Sequence, residues 1–283
     1  MTTAVATRSR DHTIEHAGCS IVVRERAGDT PASPSLLLIH GLGWDGSLFD
    51  RTTAQALASQ RCLVPDLRGH GASRCAPGAF DITDLASDMA AVLDGLAVER
   101  CAVLGFSLGA AVGLELARTQ PERISGLVLV AGGGPSTPAG DAAVDAMLAR
   151  AERDGAETFA REQAEIIWRP EWAMANPLAV AAFVERRAAM DQDALHRSFR
   201  ASRGWDRTAA IAAARTLPCR VIAADADPFM SVAAARSLAA ELTAPAPKIL
   251  GPSGHMLPLE LPDAFDDAVC TAFEAIAAGR VEA

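Results

Sequence analysis

The sequence predicts an α/β chain: a doubly wound, mostly parallel sheet with an inserted run of helices. Three observations carry that expectation. Short apolar runs recur along the chain with helical patterns between them. One of these runs, Cys101-Ala102-Val103-Leu104, passes through Gly105-Phe106-Ser107-Leu108-Gly109 into an alanine-rich stretch that favours helix. The alternation then breaks once, over residues 134–214, where the sequence is helical and rich in Ala and Arg.

The elements follow in order. Residues 1–11 are polar and read as a flexible tail without the apolar run of a signal peptide. Residues 12–26 suggest two short strands with a turn near Ala17-Gly18. Further strands are expected at 35–39, 61–65, 101–106, 125–131, 219–224 and 246–250. Asp81 can cap a helix that places Ile82, Leu85, Met89, Val92, Leu93 and Leu96 on one face. Gly132 to Pro138 punctuates the chain, and helices are expected near 139–154, 156–168, 177–190 and 191–203. Pro262 suits a first helical turn, followed by Phe265, Val269, Phe273 and Ile276 at helical spacing. The implied organisation is a core unit in two parts, 1–133 and 215–283, with the insertion at 134–214.

Chemistry concentrates at the ends of the apolar strands. Gly105 to Gly109 has the pattern of a nucleophile elbow, in which a serine at a sharp strand-to-helix turn exposes its hydroxyl above the sheet. Ser107 then sits at a helix N-terminus, where the Leu108 N–H and the helix dipole favour negative charge. A serine nucleophile needs a base, and the base needs an orienting acid. Val221 to Ala224 runs into Asp225-Ala226-Asp227-Pro228, so two acids flank one turn. His255 follows the last expected strand, in Gly251-Pro252-Ser253-Gly254-His255-Met256. Two more strands end in glycine-rich turns, at His40-Gly41-Leu42-Gly43 and at Asp66 to Ser73. His40 and His70 lie in those turns and read as structural, while His196 has no assigned role.

In these segments the chain resembles the α/β-hydrolase superfamily over nearly all of residues 20–278. The motifs His40 to Gly43, Asp66 to Ser73, Gly105 to Gly109 and Gly254 to Glu260 look most like the group of 3-oxoadipate enol-lactonases, cofactor-free haloperoxidase-type esterases and small carboxylesterases. The resemblance implies Ser107 as nucleophile and His255 as base, and it favours Asp227 over Asp225 as acid. The family's alternative acid position reads Ala131-Gly132-Gly133-Gly134 here and holds no acid. The oxyanion hole falls to the N–H groups of Leu42 and Leu108. Insertions at 134–214 act as a helical cap in the family. The serine disfavours the haloalkane dehalogenase and epoxide hydrolase chemistries, which use aspartate there.

The implied function is a serine hydrolase of a small carboxylic ester or lactone. C–C bond, amide or perhydrolase chemistry on the same residues is the alternative, with a hydrolase-fold small-molecule binding protein from another class. Phe106, Trp168 and Trp172 are candidates to line the substrate pocket, and Trp205 lies beside the same insertion. Arg169 is a candidate to hold a substrate carboxylate. No cofactor is expected, and no His/Cys/Asp cluster has the spacing of metal ligands. A net charge of −9 and a pI near 5.2 disfavour nucleic acid and anionic membrane as partners. Self-association is left open. Cys19, Cys62, Cys75, Cys101, Cys219 and Cys270 form no C-x-x-C pair and are expected as reduced thiols in or near the core. With no signal peptide read, the expected location is the cytoplasm.

Overall fold

The computed structural model describes residues 9–28 and 34–279. Its strands are β1 (Ser9–His16), β2 (Cys19–Arg26), β3 (Ser35–Ile39), β4 (Cys62–Pro65), β5 (Arg74–Cys75), β6 (Cys101–Phe106), β7 (Ile124–Val130), β8 (Cys219–Ala224) and β9 (Lys248–Leu250). Its helices are α1 (Asp50–Ala54), α2 (Ile82–Gly95), α3 (Leu108–Thr119), α4 (Pro138–Asp154), α5 (Ala156–Ile167), α6 (Pro170–Ala175), α7 (Pro177–Ala188), α8 (Gln192–Arg200), α9 (Thr208–Ala214), α10 (Val232–Glu241), α11 (Leu257–Glu260) and α12 (Pro262–Ala277).

The sheet runs β1-β2-β4-β3-β6-β7-β8-β9, with the short β5 paired to β2. From β4 to β9 every neighbouring pair is parallel. The C-terminal ends of β3, β6, β8 and β9 therefore share one edge, and each is followed by a loop carrying candidate site residues. Strands β3, β4, β6, β7 and β8 are buried on both faces, as parallel strands under helices must be. Leu37 and Ile39 of β3 face a cluster built with Met89 and Val92 of α2 and Leu114 of α3. Leu36 and Leu38 face the opposite cluster, with Phe265 and Val269 of α12. Asp81 caps α2 through a capping box with Asp84, worth about 1 kcal/mol.

Two expectations are corrected at the edge of the sheet. Residues 9–11 are strand, not tail: Ser9 pairs with Arg26 and Asp11 with Arg24 in an antiparallel hairpin. Ala17 and Gly18, with φ of 48° and 74°, make its two-residue turn. Residues 1–8 lie outside the described residues. Cys19 and Cys75 are not free thiols but a disulfide. They stand opposite each other where β2 pairs β5, and a two-residue strand 56 positions away in sequence leaves no periodicity to read. Cys62, Cys101 and Cys219 are buried free thiols, each pushed up to about 12 by burial.

Helices α4–α9 fill the interval between β7 and β8. The expected helices there are present, with two additional ones, α6 and α9. Helices α5 and α7 pack against each other, and their buried residues Ala160, Ala164, Phe183 and Val184 belong to the same cluster as β3, β6 and α12. Among the described residues no helix is long and apolar enough to cross a membrane.

Candidate active site

Strand β6 ends at Phe106 and helix α3 begins at Leu108. Ser107 between them has φ 53° and ψ −113°, a region that a non-glycine residue occupies at a cost of about 1–3 kcal/mol. The surroundings hold it there. Its N–H donates to the Val130 carbonyl at 2.8 Å, and its carbonyl accepts the Ala110 N–H at 3.0 Å. Gly105 and Gly109 permit the crossing. A β-carbon on Gly105 would lie 2.2 Å from the Gly109 carbonyl oxygen, and one on Gly109 would lie 2.2 Å from that of Ile39.

His255 arrives from the loop after β9. Its Nε2 lies 3.0 Å from Ser107 Oγ, and its Nδ1 lies 2.8 Å from Asp227 Oδ2. The pairing assigns the proton to Nδ1, because the carboxylate can only accept, and leaves the Nε2 lone pair facing the serine hydroxyl. The other Asp227 oxygen accepts the N–H groups of Phe229 at 2.8 Å and Met230 at 3.1 Å. Asp225 does different work. Its Oδ1 accepts the Ser253 N–H at 2.9 Å and so ties the strand-end turn to the histidine loop. The two acids of the Asp225-Ala226-Asp227 turn thus separate into a brace and a partner of His255.

The loop after β3 lies against the serine. A β-carbon on Gly41 would come within 3.1 Å of Ser107 Cβ and 2.8 Å of the Phe106 ring, so only glycine admits this approach. Two histidines fix the loop. His40 Nδ1 donates to the Gly41 carbonyl at 2.7 Å, and its Nε2 accepts the Leu67 N–H at 2.9 Å. His70 Nδ1 donates to the Arg68 carbonyl at 3.1 Å, and its Nε2 accepts the Gly43 N–H at 3.0 Å. Each ring must be neutral to accept. Burial holds it so, lowering His40 to about 4 and His70 to about 3. Of the two oxyanion candidates, Leu108 follows Ser107 as the first residue of α3, and Leu42 follows Gly41, the residue that approaches Ser107.

The aromatic candidates sort themselves. Phe106 is buried, with its ring 5.2 Å from the His255 ring. Trp168 stacks on Trp172 at 4.7 Å and meets Phe183 edge-on at 6.0 Å. Trp44, from the loop after β3, stacks on the same Phe183 at 5.8 Å. Trp205 belongs elsewhere: it packs against the α2–α3 side of the sheet and donates to Glu115 at 3.3 Å. Arg169 does not place its guanidinium in this cluster. Its Nε donates to Glu171 at 2.8 Å between partly exposed side chains, and its backbone is what reaches the site.

Three residues escaped sequence reasoning. Glu260 is a buried acid whose Oε2 accepts from Gly254 at 2.9 Å and Arg169 at 3.2 Å, and whose Oε1 accepts from Met256 at 3.2 Å. Burial raises its carboxyl above the ordinary value. Its signal was an acid inside the apolar run Met256 to Leu261. Phe229 meets the His255 ring edge-on at 4.9 Å. Arg187 continues the buried stripe of α7, three and four positions after Val184 and Phe183. A charge at an apolar stripe position was the mark that could have found it.

The model of the alpha/beta hydrolase family matches residues 36–268. The chain belongs to that family. Among solved structures, a hydrolase from Pseudomonas aeruginosa PA01 is 28% identical, with a TM-score of 0.80 over 95% of this chain and 99% of that one. An enol-lactonase from Burkholderia xenovorans LB400 shares the fold at 21% identity, with a TM-score of 0.81 over 94% of this chain and 100% of that one. Among curated sequences, the protein named "Putative carbamate hydrolase RutD" of Variovorax paradoxus (strain S110) is 32% identical over 149 residues, which are 52% of this chain and 56% of that protein. The chain thus spans about half the length of that curated relative. This α/β hydrolase carries the six helices α4–α9 between β7 and β8.

Proposed function

We propose that the chain is a serine hydrolase that cleaves a carboxylic ester or lactone through an acyl-enzyme. The observation that carries this reading is the unbroken series Ser107 Oγ, His255 Nε2, His255 Nδ1 and Asp227 Oδ2, at 3.0 Å and 2.8 Å. In it, His255 Nε2 takes the hydroxyl proton as Ser107 Oγ attacks the substrate carbonyl. Asp227 holds the ring in the productive tautomer and stabilises the imidazolium that forms. The Leu42 and Leu108 N–H groups receive the negative oxygen of the tetrahedral intermediate. His255 then passes its proton to the leaving oxygen, and a water repeats the sequence to free the acid and Ser107. Helices α4–α9 act as a cap whose Trp168, Trp172 and Phe183 bound an apolar acyl or alcohol pocket.

A second reading is carbamate or amide hydrolysis on the same residues, favoured by the partial likeness to the carbamate hydrolase named above. The Cys19–Cys75 disulfide argues against the expected cytoplasmic location. The test is a panel of p-nitrophenyl esters, lactones, carbamates and amides, read with a fluorophosphonate label located by mass spectrometry. The expected result is ester or lactone turnover and label on Ser107 only. Absence of both turnover and label sinks the proposal.

A further inference from the structure

We infer that Arg187 is a positioning residue for the reaction: its buried charge is seated on the Leu42–Gly43 peptide and favours the negative oxygen that the adjacent Leu42 N–H is proposed to receive. This rests on the hydrolase reading above and gives the insertion a part in its chemistry.

Arg187 comes from α7 and is 4% exposed. Its one hydrogen bond among the described residues runs from Nη2 to the Leu42 carbonyl, at 3.5 Å, and its Nε and Nη1 have no acceptor there. A β-carbon on Gly43 would lie 2.1 Å from Arg187 Cζ, 2.3 Å from Nη1 and 2.4 Å from Nη2, so the guanidinium occupies the space where a side chain at 43 would stand. No acid among the described residues pairs with it: Asp45, on the same loop, is engaged by Arg186. Burial lowers Arg187 to about 10, which leaves it charged at neutral pH. The charge is felt across the loop, since burial, His40 and Arg187 together oppose protonation of His70.

The loop is pinned peptide by peptide. The Gly41 carbonyl accepts from His40 Nδ1 at 2.7 Å and from the Trp44 N–H at 3.3 Å. A trans peptide points its N–H opposite to its carbonyl, so the Leu42 N–H faces away from those donors. In the next peptide the Leu42 carbonyl accepts from Arg187 and the Gly43 N–H donates to His70. Both peptides that flank Leu42 are therefore held, and the second is held by a cation. Bracing needs no such charge, because Arg186 already ties α7 to Asp45 and Ser47 of the same loop. A buried charge is weakly screened. In the resting protein no anion offsets it, and the tetrahedral intermediate supplies one. An interaction stronger with the charged intermediate than with the neutral ester raises kcat rather than lowering KM.

The competing account is that Arg187 only braces the loop. Two variants separate charge from bracing, assayed on a p-nitrophenyl ester with Tm measured alongside. Arg187→Gln keeps a donor for the Leu42 carbonyl and removes the charge, whereas Arg187→Lys keeps the charge and removes the fork. Arg187→Gln is expected to lower kcat by about tenfold while KM stays within about twofold. Arg187→Lys should keep about a third or more of the kcat. Phenylboronic acid gives a reading without turnover: Ser107 Oγ bonds to boron, its proton passes to His255, and the tetrahedral adduct carries a negative charge. Its Kd should rise about tenfold in Arg187→Gln and far less in Arg187→Lys. Gly43→Ala leaves Arg187 intact but forces the guanidinium off the loop, and should lower kcat by about tenfold as well; it decides the matter if Arg187→Gln does not fold. Unchanged kcat and boronate Kd in Arg187→Gln, equal losses in Arg187→Gln and Arg187→Lys, or unchanged kcat in Gly43→Ala overturns the inference and leaves the hydrolase reading standing. An unaltered protein that neither hydrolyses an ester nor binds the boronate defeats the hydrolase reading, and the inference with it.

Discussion

The backbone N–H of His255 donates to the carbonyl of Ile167 at 2.9 Å. Ile167 ends α5, in the insertion, and His255 is the residue against Ser107 Oγ. The insertion and the histidine loop are therefore one hydrogen-bonded unit. Glu260 doubles the link by accepting from Gly254 on one side and Arg169 on the other. Gly254 is glycine because a β-carbon would lie 2.7 Å from the Arg169 nitrogen.

Replacing Glu260 by Gln should loosen that unit. An amide turns an N–H donor toward N–H donors and leaves a buried group unpaired, at about 1–3 kcal/mol. The expected outcome is a lower Tm together with a kcat reduced by about tenfold, because His255 loses its fixed position. Glu260→Gln with unchanged Tm and kcat would show that the loop is held without it.

Ser107→Ala should remove turnover, with a loss of about 10⁴-fold or more in kcat. The fold should survive, since alanine relieves no packing and Ser107 makes its structural bonds through the backbone. The check is steady-state kinetics on pure protein with circular dichroism alongside.

Asp227→Asn should cost far more activity than Asp225→Asn. Asp227 must accept the Nδ1–H of His255, and an amide favours the wrong tautomer. Asp225→Asn weakens a bond to the Ser253 N–H and should show mainly in Tm. Greater activity loss in Asp225→Asn would reverse the two assignments.

Stability should fall on acidification through the loop after β3. His40 and His70 titrate at about 4 and about 3 when folded, against about 6.5 when unfolded. Their neutral forms are thus favoured by folding. That contribution is complete above about pH 6.5 and is lost as pH falls toward 4 and 3. His70→Gln keeps an acceptor for the Gly43 N–H without a proton to gain. Urea midpoints measured from pH 7.5 to 4 should therefore fall less steeply in His70→Gln than in the unaltered protein.

Trp172→Ala should change substrate preference, and Trp205→Ala should not. Trp172 is half-buried and stacks on Trp168, whereas Trp205 is bonded to Glu115. The expected shift in relative kcat/KM between short and bulky esters is about tenfold, the size of a lost aromatic contact. Trp168 is 3% exposed in the core cluster that also holds Phe265 and Val269, so Trp168→Ala should shift the same preference and also lower Tm, by the cost of a large cavity.

The sequence by itself determined the α/β alternation, the elbow around Ser107, the histidine after the last strand and the interval occupied by helices. These are legible because they depend on local pattern: apolar runs, glycines beside a turn, and chemistry at strand ends, where a parallel sheet gathers it on one edge. It left Asp225 and Asp227 as rivals, because two side chains at one turn are separated only by where the turn points them. The tertiary structure aimed Asp227 at His255 and Asp225 at Ser253. It alone joined Cys19 to Cys75, through strands too short and too distant to announce their pairing. It alone put Arg187 against Leu42 and Arg169 against Glu171. A single sequence shows both as arginines within the insertion. Which one loses water and which keeps it is decided by the packing of the insertion on the sheet, a contact between residues far apart in the chain.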